Sequence, residues 1–240
     1  MKRVLIFSIL SLLITQNAFC ADHYKIGDQL YVWARNGINV RKGPGTNYPI
    51  IKAIAFGDSV VIKDTTLNKY NLTAIEVNKE QDSGHKVDPF ILKGHWVKIT
   101  FGINLNGYVI DQYLLSIKPG NINGQDAFEL NFMKIIAIDT TWKNPVKNHG
   151  NEPHYCLRLT FDKNITRSSC PSEMGSDVGY EFPGFSIEEV IIFFSNAMDN
   201  FNNCFVYTNW KEKLVIQQEI CTWTIIKKND STVVYIECNC

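Results

Sequence analysis

Long apolar runs, an excess of either charge and a spread of cysteines are all missing from most of this chain. Beyond the N-terminal segment no stretch is long and apolar enough to span a bilayer as a helix. Lys+Arg and Asp+Glu each number 24. A balanced chain gives no basis for a nucleic-acid partner, whose phosphates demand a basic surface. Between Cys20 and Cys156 there is no cysteine at all. Cys-x-x-Cys spacing, common in zinc sites, is absent. So are His-Glu-x-x-His and the Gly-x-Ser-x-Gly elbow. A papain-like thiol needs a helix start with a distant histidine base, and no cysteine here stands in such a context. The chain therefore reads as a protein without an enzymatic constellation, a cofactor or a metal.

What is present begins with a leader. Lys2 and Arg3 precede an apolar run from Val4 to Ile14, then Thr15-Gln16-Asn17 and Ala18-Phe19-Cys20. This is the layout of a secretory signal peptide spanning 1–20, with the mature chain expected to start at Ala21. Lipid anchoring at Cys20 fits less well, because Phe19 and Asn17 are poor neighbours for that chemistry. Loss of Lys2 and Arg3 leaves 22 Lys+Arg against 24 Asp+Glu. An exported, periplasmic or extracellular location follows. Cys156, Cys170, Cys204, Cys221, Cys238 and Cys240 are then an even set, expected to form three disulfides in an oxidising compartment. The spacing leaves 15 connectivities open. Cys238 and Cys240 are too close to favour bonding to each other. His149, His154 and Cys156 are near enough in sequence to be considered as metal ligands, but the spacing argues against it.

The stretch from Gly37 to Ile62 organises the N-terminal half. Ile38 and Val40 alternate with Asn39 and Arg41, the period of a half-buried strand. Gly43-Pro44-Gly45 breaks it, and Ile50 to Ile54 is a second apolar run. Phe56-Gly57-Asp58 turns the chain into a third strand carrying Val60 and Ile62. Before them, Gln29 to Ala34 reads as a strand with Leu30, Val32 and Ala34 on one face and Tyr31 and Trp33 on the other. Short strands with tight turns predict a small β-barrel or sandwich.

These residues resemble the bacterial SH3 (SH3b) domain. The order Asn39-Val40-Arg41, Gly43-Pro44, Ile50-Ile51, Gly57-Asp58, Val60 is similar to that family's first strands. His95-Trp96-Val97-Lys98-Ile99 resembles its Trp-containing strand, Asn106-Gly107-Tyr108-Val109 its Gly-Tyr-Val strand, and Asp111-Gln112-Tyr113-Leu114-Leu115 its closing turn. The resemblance covers 27–116. It departs at Lys63 to Gly94, where the family has a short hairpin and this chain has an insertion. A hairpin grafted onto the barrel, with arms near Leu72–Val77 and Val87–Leu92, or else a disordered flap, would account for it. This half holds every such element and no disulfide cysteine, so it is expected to fold alone. The resemblance implies a peptidoglycan or peptide ligand, especially the wall's peptide stems. Tyr48, Trp96, Tyr108 and Tyr113 occupy motif positions near the loops and are the candidate binding residues; the alternative is that they fill the core. Arg41 is expected to tie the first turn.

Pro119-Gly120 and Asn123-Gly124 mark a boundary, with a second unit over 125–240. Glu129 to Ile138 reads as a strand, with a short helix over Asp126 to Met133 as the alternative; Tyr155 to Phe161 reads as a strand, and Asp162 to Gly184 as a long loop pinned by Cys170. Ser186 with Glu189 is a capping box opening a helix over 187–200. Ile187, Val190, Ile191, Phe194, Ala197, Met198 and Phe201 form its apolar stripe. Four strands follow, with Asn229-Asp230-Ser231 as the last hairpin turn. The fold class is therefore mainly β: an SH3-like small β-barrel, then a disulfide-stapled α+β unit with one main helix on an antiparallel sheet. A cell-envelope binding protein is the leading function. A periplasmic inhibitor or immunity protein working through protein contacts is the alternative, and a wall hydrolase with an unrecognised site is a third. Near-neutral charge leads to an expectation of aromatic and polar contacts with the ligand instead of ionic ones.

Overall fold

The computed structural model describes residues 24–65, 68–75, 89–119, 135–143, 155–172, 175–198, 204–210, 212–218 and 220–238. The expected signal peptide over 1–20, the expected start of a second unit near Gln125, His149, His154 and Cys240 lie outside them. Among the described residues the chain is mainly β, with antiparallel sheets and one α-helix.

Strands β1 (Gln29–Val32), β2 (Ile38–Arg41), β3 (Ile50–Ile54) and β4 (Ser59–Asp64) form where the sequence placed them; burial alternates along β1, β2 and β4, whereas in the apolar run of β3 only Ile54 is buried. β5 (Lys69–Ile75) pairs with the start of β6 (Phe90–Phe101), so the described arms of the insertion form a hairpin. β7 (Leu105–Ile110), a 3-10 turn (Asp111–Tyr113) and β8 (Leu114–Leu115) complete the sheet. Its order is β3-β2-β7-β6-β4-β1-β8, with β5 on β6, and it curls as a half-barrel. Leu30, Val32, Val40, Ile62, Val97, Ile99 and Val109 fill the inside.

The second sheet is β9 (Ile135–Lys143), β10 (Tyr155–Phe161), β11 (Thr166–Ser172), β12 (Gly175–Pro183), β13 (Cys204–Trp210), β14 (Lys213–Gln218), β15 (Cys221–Lys228) and β16 (Ser231–Cys238). Its order is β13-β14-β15-β16-β12-β11-β10-β9, antiparallel throughout. The expected loop over 162–184 is corrected here: most of it is the β11–β12 hairpin. Thr166, Arg167, Ser168 and Ser169 hide the apolar period, yet β10 and β12 supply ladder partners on both sides of β11, and neighbours override a weak local preference.

Helix α1 (Ile187–Met198) starts on the expected capping box. The Ser186 N–H donates to Glu189 Oε2 at 2.9 Å, and the Glu189 N–H donates to Ser186 Oγ at 3.1 Å. Two otherwise orphaned donors are thereby satisfied. Ser186→Ala is expected to lower stability by about 1 kcal/mol. Urea unfolding should show a lower midpoint at unchanged slope; an unchanged midpoint would mean that the box contributes nothing.

The stripe expected on α1 is only part of its buried surface. Ile192 and Phe193, off the stripe, are as buried as Val190, Ile191 and Phe194. Apolar residues on two faces of a helix call for two covers. Phe194 meets Trp223 of β15 edge-on, with ring centroids 5.3 Å apart. Phe193, one residue and about 100° further round the helix, meets Trp33 just after β1 at 5.0 Å. The alternation in β1 has the same origin. Leu30, Val32 and Ala34 face the barrel interior, whereas Tyr31 and Trp33 face the core under the helix. β6 divides its length likewise, with Phe90 and Leu92 in the helix core and Val97, Ile99 and Phe101 in the barrel. Strand pairing thus separates β1–β8 from β9–β16, while packing joins them through α1. The Lys163 ammonium adds a polar tie, donating to the Ser116 carbonyl and hydroxyl at 2.9 and 2.8 Å.

Disulfides join Cys156 to Cys170 and Cys221 to Cys238. Both link neighbouring strands, and Cys221 and Cys238 are register partners. Cys238 pairs away from Cys240, as their closeness suggested. The Cys204 side chain and Cys240 lie outside the described residues.

Candidate ligand-binding face

The site is built from the turn after β2. Arg41 ends that strand and donates through Nη1 to the carbonyls of Thr46 and Tyr48 at 2.8 and 2.7 Å. The Lys42 N–H donates to the Pro49 carbonyl at 3.0 Å. Arg41 therefore ties the turn, the role its position suggested. The Tyr48 ring lies over Gly43 so closely that any β-carbon there would overlap it. Glycine at 43 is what lets the ring lie down, and the ring is still 41% exposed. The outcome is a tyrosine held flat on its own turn with its outer face open.

Beside it, register aligns a row of outward positions across five strands. Asp64 of β4 stands opposite Lys98 of β6, Lys98 opposite Tyr108 of β7, Tyr108 opposite Arg41, and Arg41 opposite Ile50 of β3. Trp96 lies two residues before Lys98 on the same strand. Its ring is 5% exposed and is covered by Tyr70, with ring centroids 5.6 Å apart and nearly perpendicular. Asn68 binds both sides together: its carbonyl accepts from the Trp96 N–H at 2.8 Å, and its Nδ2 donates to the Pro44 carbonyl at 3.0 Å.

The four candidate aromatics thus part company. Tyr48 is open, Tyr108 is half-buried in the row, and Trp96 is a floor. Tyr113 sits at the junction of the two cores, where its carbonyl accepts from the Trp33 N–H at 2.8 Å. Burial and the neighbouring Tyr70 phenol push its hydroxyl above the ordinary tyrosine range. Asn68, Tyr70 and Lys98 were not among the candidate site residues. The first two fall in the insertion, where no motif marks them, and Lys98 takes its place only through the register.

Behind Trp96 lies a buried polar cluster, also unforeseen. Asp111 Oδ1 accepts from the His95 N–H and Oδ2 from the Tyr24 hydroxyl, both at 2.8 Å. The His95 imidazole is 3.7 Å from Oδ2. Gln112 donates to the Tyr70 carbonyl at 2.8 Å. A β-carbon at Gly94 would collide with Asp111 and Gln112, so glycine there admits both side chains to the strand. Burial pushes the Asp111 carboxyl up, and the hydrogen bonds and His95 offset this only in part. The folded chain then holds that proton more tightly than the unfolded chain, whose carboxyl titrates near 3.8. Asp111 stabilises fully below that pH, and the contribution is lost as pH rises through the raised folded value. Asp111→Asn should remove this component. The stability of the wild type minus that of the variant is expected to fall with rising pH in urea titrations; a flat or rising difference would contradict it.

Cys156 is bonded to Cys170, so it cannot serve as a thiolate ligand. The Glu189 carboxylate is committed to the capping box. Comparison with known proteins found no matching family model, curated relative or solved structure.

Proposed function

We propose that this chain is an exported envelope-binding protein whose SH3b-like half holds a wall peptide against the face around Tyr48. The observation that carries the reading is the open Tyr48 ring, fixed on a turn that Arg41 and Gly43 hold in shape. A flat aromatic with one hydroxyl suits peptide and sugar surfaces, and a ring that is already fixed loses little entropy on binding. The disulfides are compatible with export. The resemblance of the N-terminal half to SH3b supplies the ligand class, peptidoglycan and its peptide stems. Envelope retention, not catalysis, is then the activity.

Sedimentation of the purified chain with cell-wall sacculi tests this. Tyr48→Ala is expected to weaken binding by roughly 1–3 kcal/mol, the range of a moderate hot spot. Its fold should be unchanged, because the ring lies on the outside. Trp96→Ala should lower the unfolding midpoint as well, because that ring is covered. Full sedimentation of a folded Tyr48→Ala variant would remove this face from consideration.

A further inference from the structure

The neutrality of the whole chain conceals an uneven distribution of charge. Residues 24–119 carry twelve Lys and Arg against eight Asp and Glu. Among the described residues of that span the balance is ten against four, with no glutamate. The four acids have other duties. Asp28 and Asp58 accept backbone N–H groups within their turns at 2.9 Å. Asp111 is buried, and Asp64 faces Lys98. From Gln29 to Gly57, which includes the whole β2–β3 hairpin, there are Arg35, Arg41, Lys42 and Lys52 and no acid.

That hairpin also presents a free strand. Among the described residues β3 pairs with β2 alone and ends the sheet order. Residues 46–53 are all exposed, including Ile50 at 51% and Ile51 at 48%. An edge strand offers a row of unpaired N–H and C=O groups, and two exposed isoleucines on it are costly in water unless something covers them. A lysine such as Lys52 is a common way to blunt an edge against self-association. Lysine repels another cationic edge, however, and attracts an anionic one.

We infer that the β3 edge is the docking strand for an extended, carboxylate-bearing peptide, which adds to the sheet beside Tyr48 and sets its acids against Lys42 and Lys52. The peptide's main chain satisfies the edge groups, its apolar atoms cover Ile50 and Ile51, and charge selects acidic over neutral sequences. This rests on the reading of the barrel as a peptide-binding module and names the chemistry of its ligand. It also replaces the expectation of a contact nearly free of ionic character.

The test uses the full chain and three synthetic probes: a peptide of alternating Glu and Val, the same peptide with Gln for Glu, and the Glu peptide N-methylated at alternate residues. Calorimetry should detect the Glu peptide, with affinity falling as salt rises. The Gln peptide and the N-methylated peptide should each bind at least about tenfold more weakly, for loss of charge and of main-chain pairing respectively. A doubly reversed variant, Lys42→Glu with Lys52→Glu, should lose about tenfold or more for the Glu peptide, and exposed lysines leave the fold intact. Equal binding of the Glu and Gln peptides, or of the N-methylated form, would overturn the inference. So would equally tight binding of inorganic polyphosphate, which would mark a nonspecific anion surface. Sacculus binding that survives both reversals and high salt would overturn it too, while leaving the envelope reading intact. Binding of the Glu peptide without any sacculus binding would do the reverse.

Discussion

Trp33→Ala is expected to destabilise both halves of the chain in one transition, by about 3–5 kcal/mol. Trp33 is wholly buried, and its indole N–H donates to the Ile117 carbonyl at 2.7 Å. Its ring contacts Phe56 of the barrel at 5.7 Å and Phe193 of α1 at 5.0 Å. Removing it empties a volume shared by two sheets and leaves a buried carbonyl without its donor. Against a total stability of about 5–15 kcal/mol, that is a large fraction. Fluorescence of the remaining tryptophans and far-UV circular dichroism should shift together to a lower urea midpoint. A loss confined to the barrel signal would show that the two halves unfold separately. The same packing bears on the segment 27–116. Expressed alone, it would present Trp33, Ile75, Phe90, Leu92 and Leu115 to water. We therefore expect that fragment to unfold without a sharp transition, and α1 to be needed for its cooperativity. A cooperative fragment would show that the barrel interior of Val32, Val40, Ile62, Val97 and Ile99 suffices.

The second large effect concerns the disulfides. Replacing Cys221 and Cys238 by Ser is expected to cost about 3 kcal/mol, as is replacing Cys156 and Cys170. The loops closed are 17 and 14 residues, and a loop of that size is a substantial constraint on the unfolded chain. The two bridges lie in different strand pairs of one sheet, so their losses should add approximately. Urea midpoints of the two double variants and of the quadruple variant measure this. Midpoints within error of the wild type would mean that the sheet holds without its staples.

Some of the candidate face was legible from local rules. Arg41, Gly43 and Tyr48 belong to one turn, and a turn's hydrogen bonds are made within a few residues. The capping box of Ser186 and Glu189 is legible for the same reason, because both donors and both acceptors lie within one helical turn. The tight turns and the period of two in β2 and β4 likewise announce themselves. Where polar residues carried the strands, as in β11, the period was silent and the hairpin read as a loop.

By itself, then, the sequence determined the mainly β class, most of the described strands, the helix after Ser186 and its start, and the cysteine-bearing half. Each of these depends on contacts between residues close in the chain, or on a count of residue types. Tertiary structure alone decided how those pieces share surface. Apolar residues on both faces of β1 show that both are buried, but not by what; only the fold puts Val32 in the barrel and Trp33 against Phe193. Only the register sets Lys98 beside Tyr108 and brings Asn68 and Tyr70 from the insertion onto Pro44 and Trp96. Only the strand order leaves β3 as an edge with a basic hairpin around it. Burial, register and edge position belong to pairs of segments far apart in sequence, and periodicity within one segment carries no information about its partner.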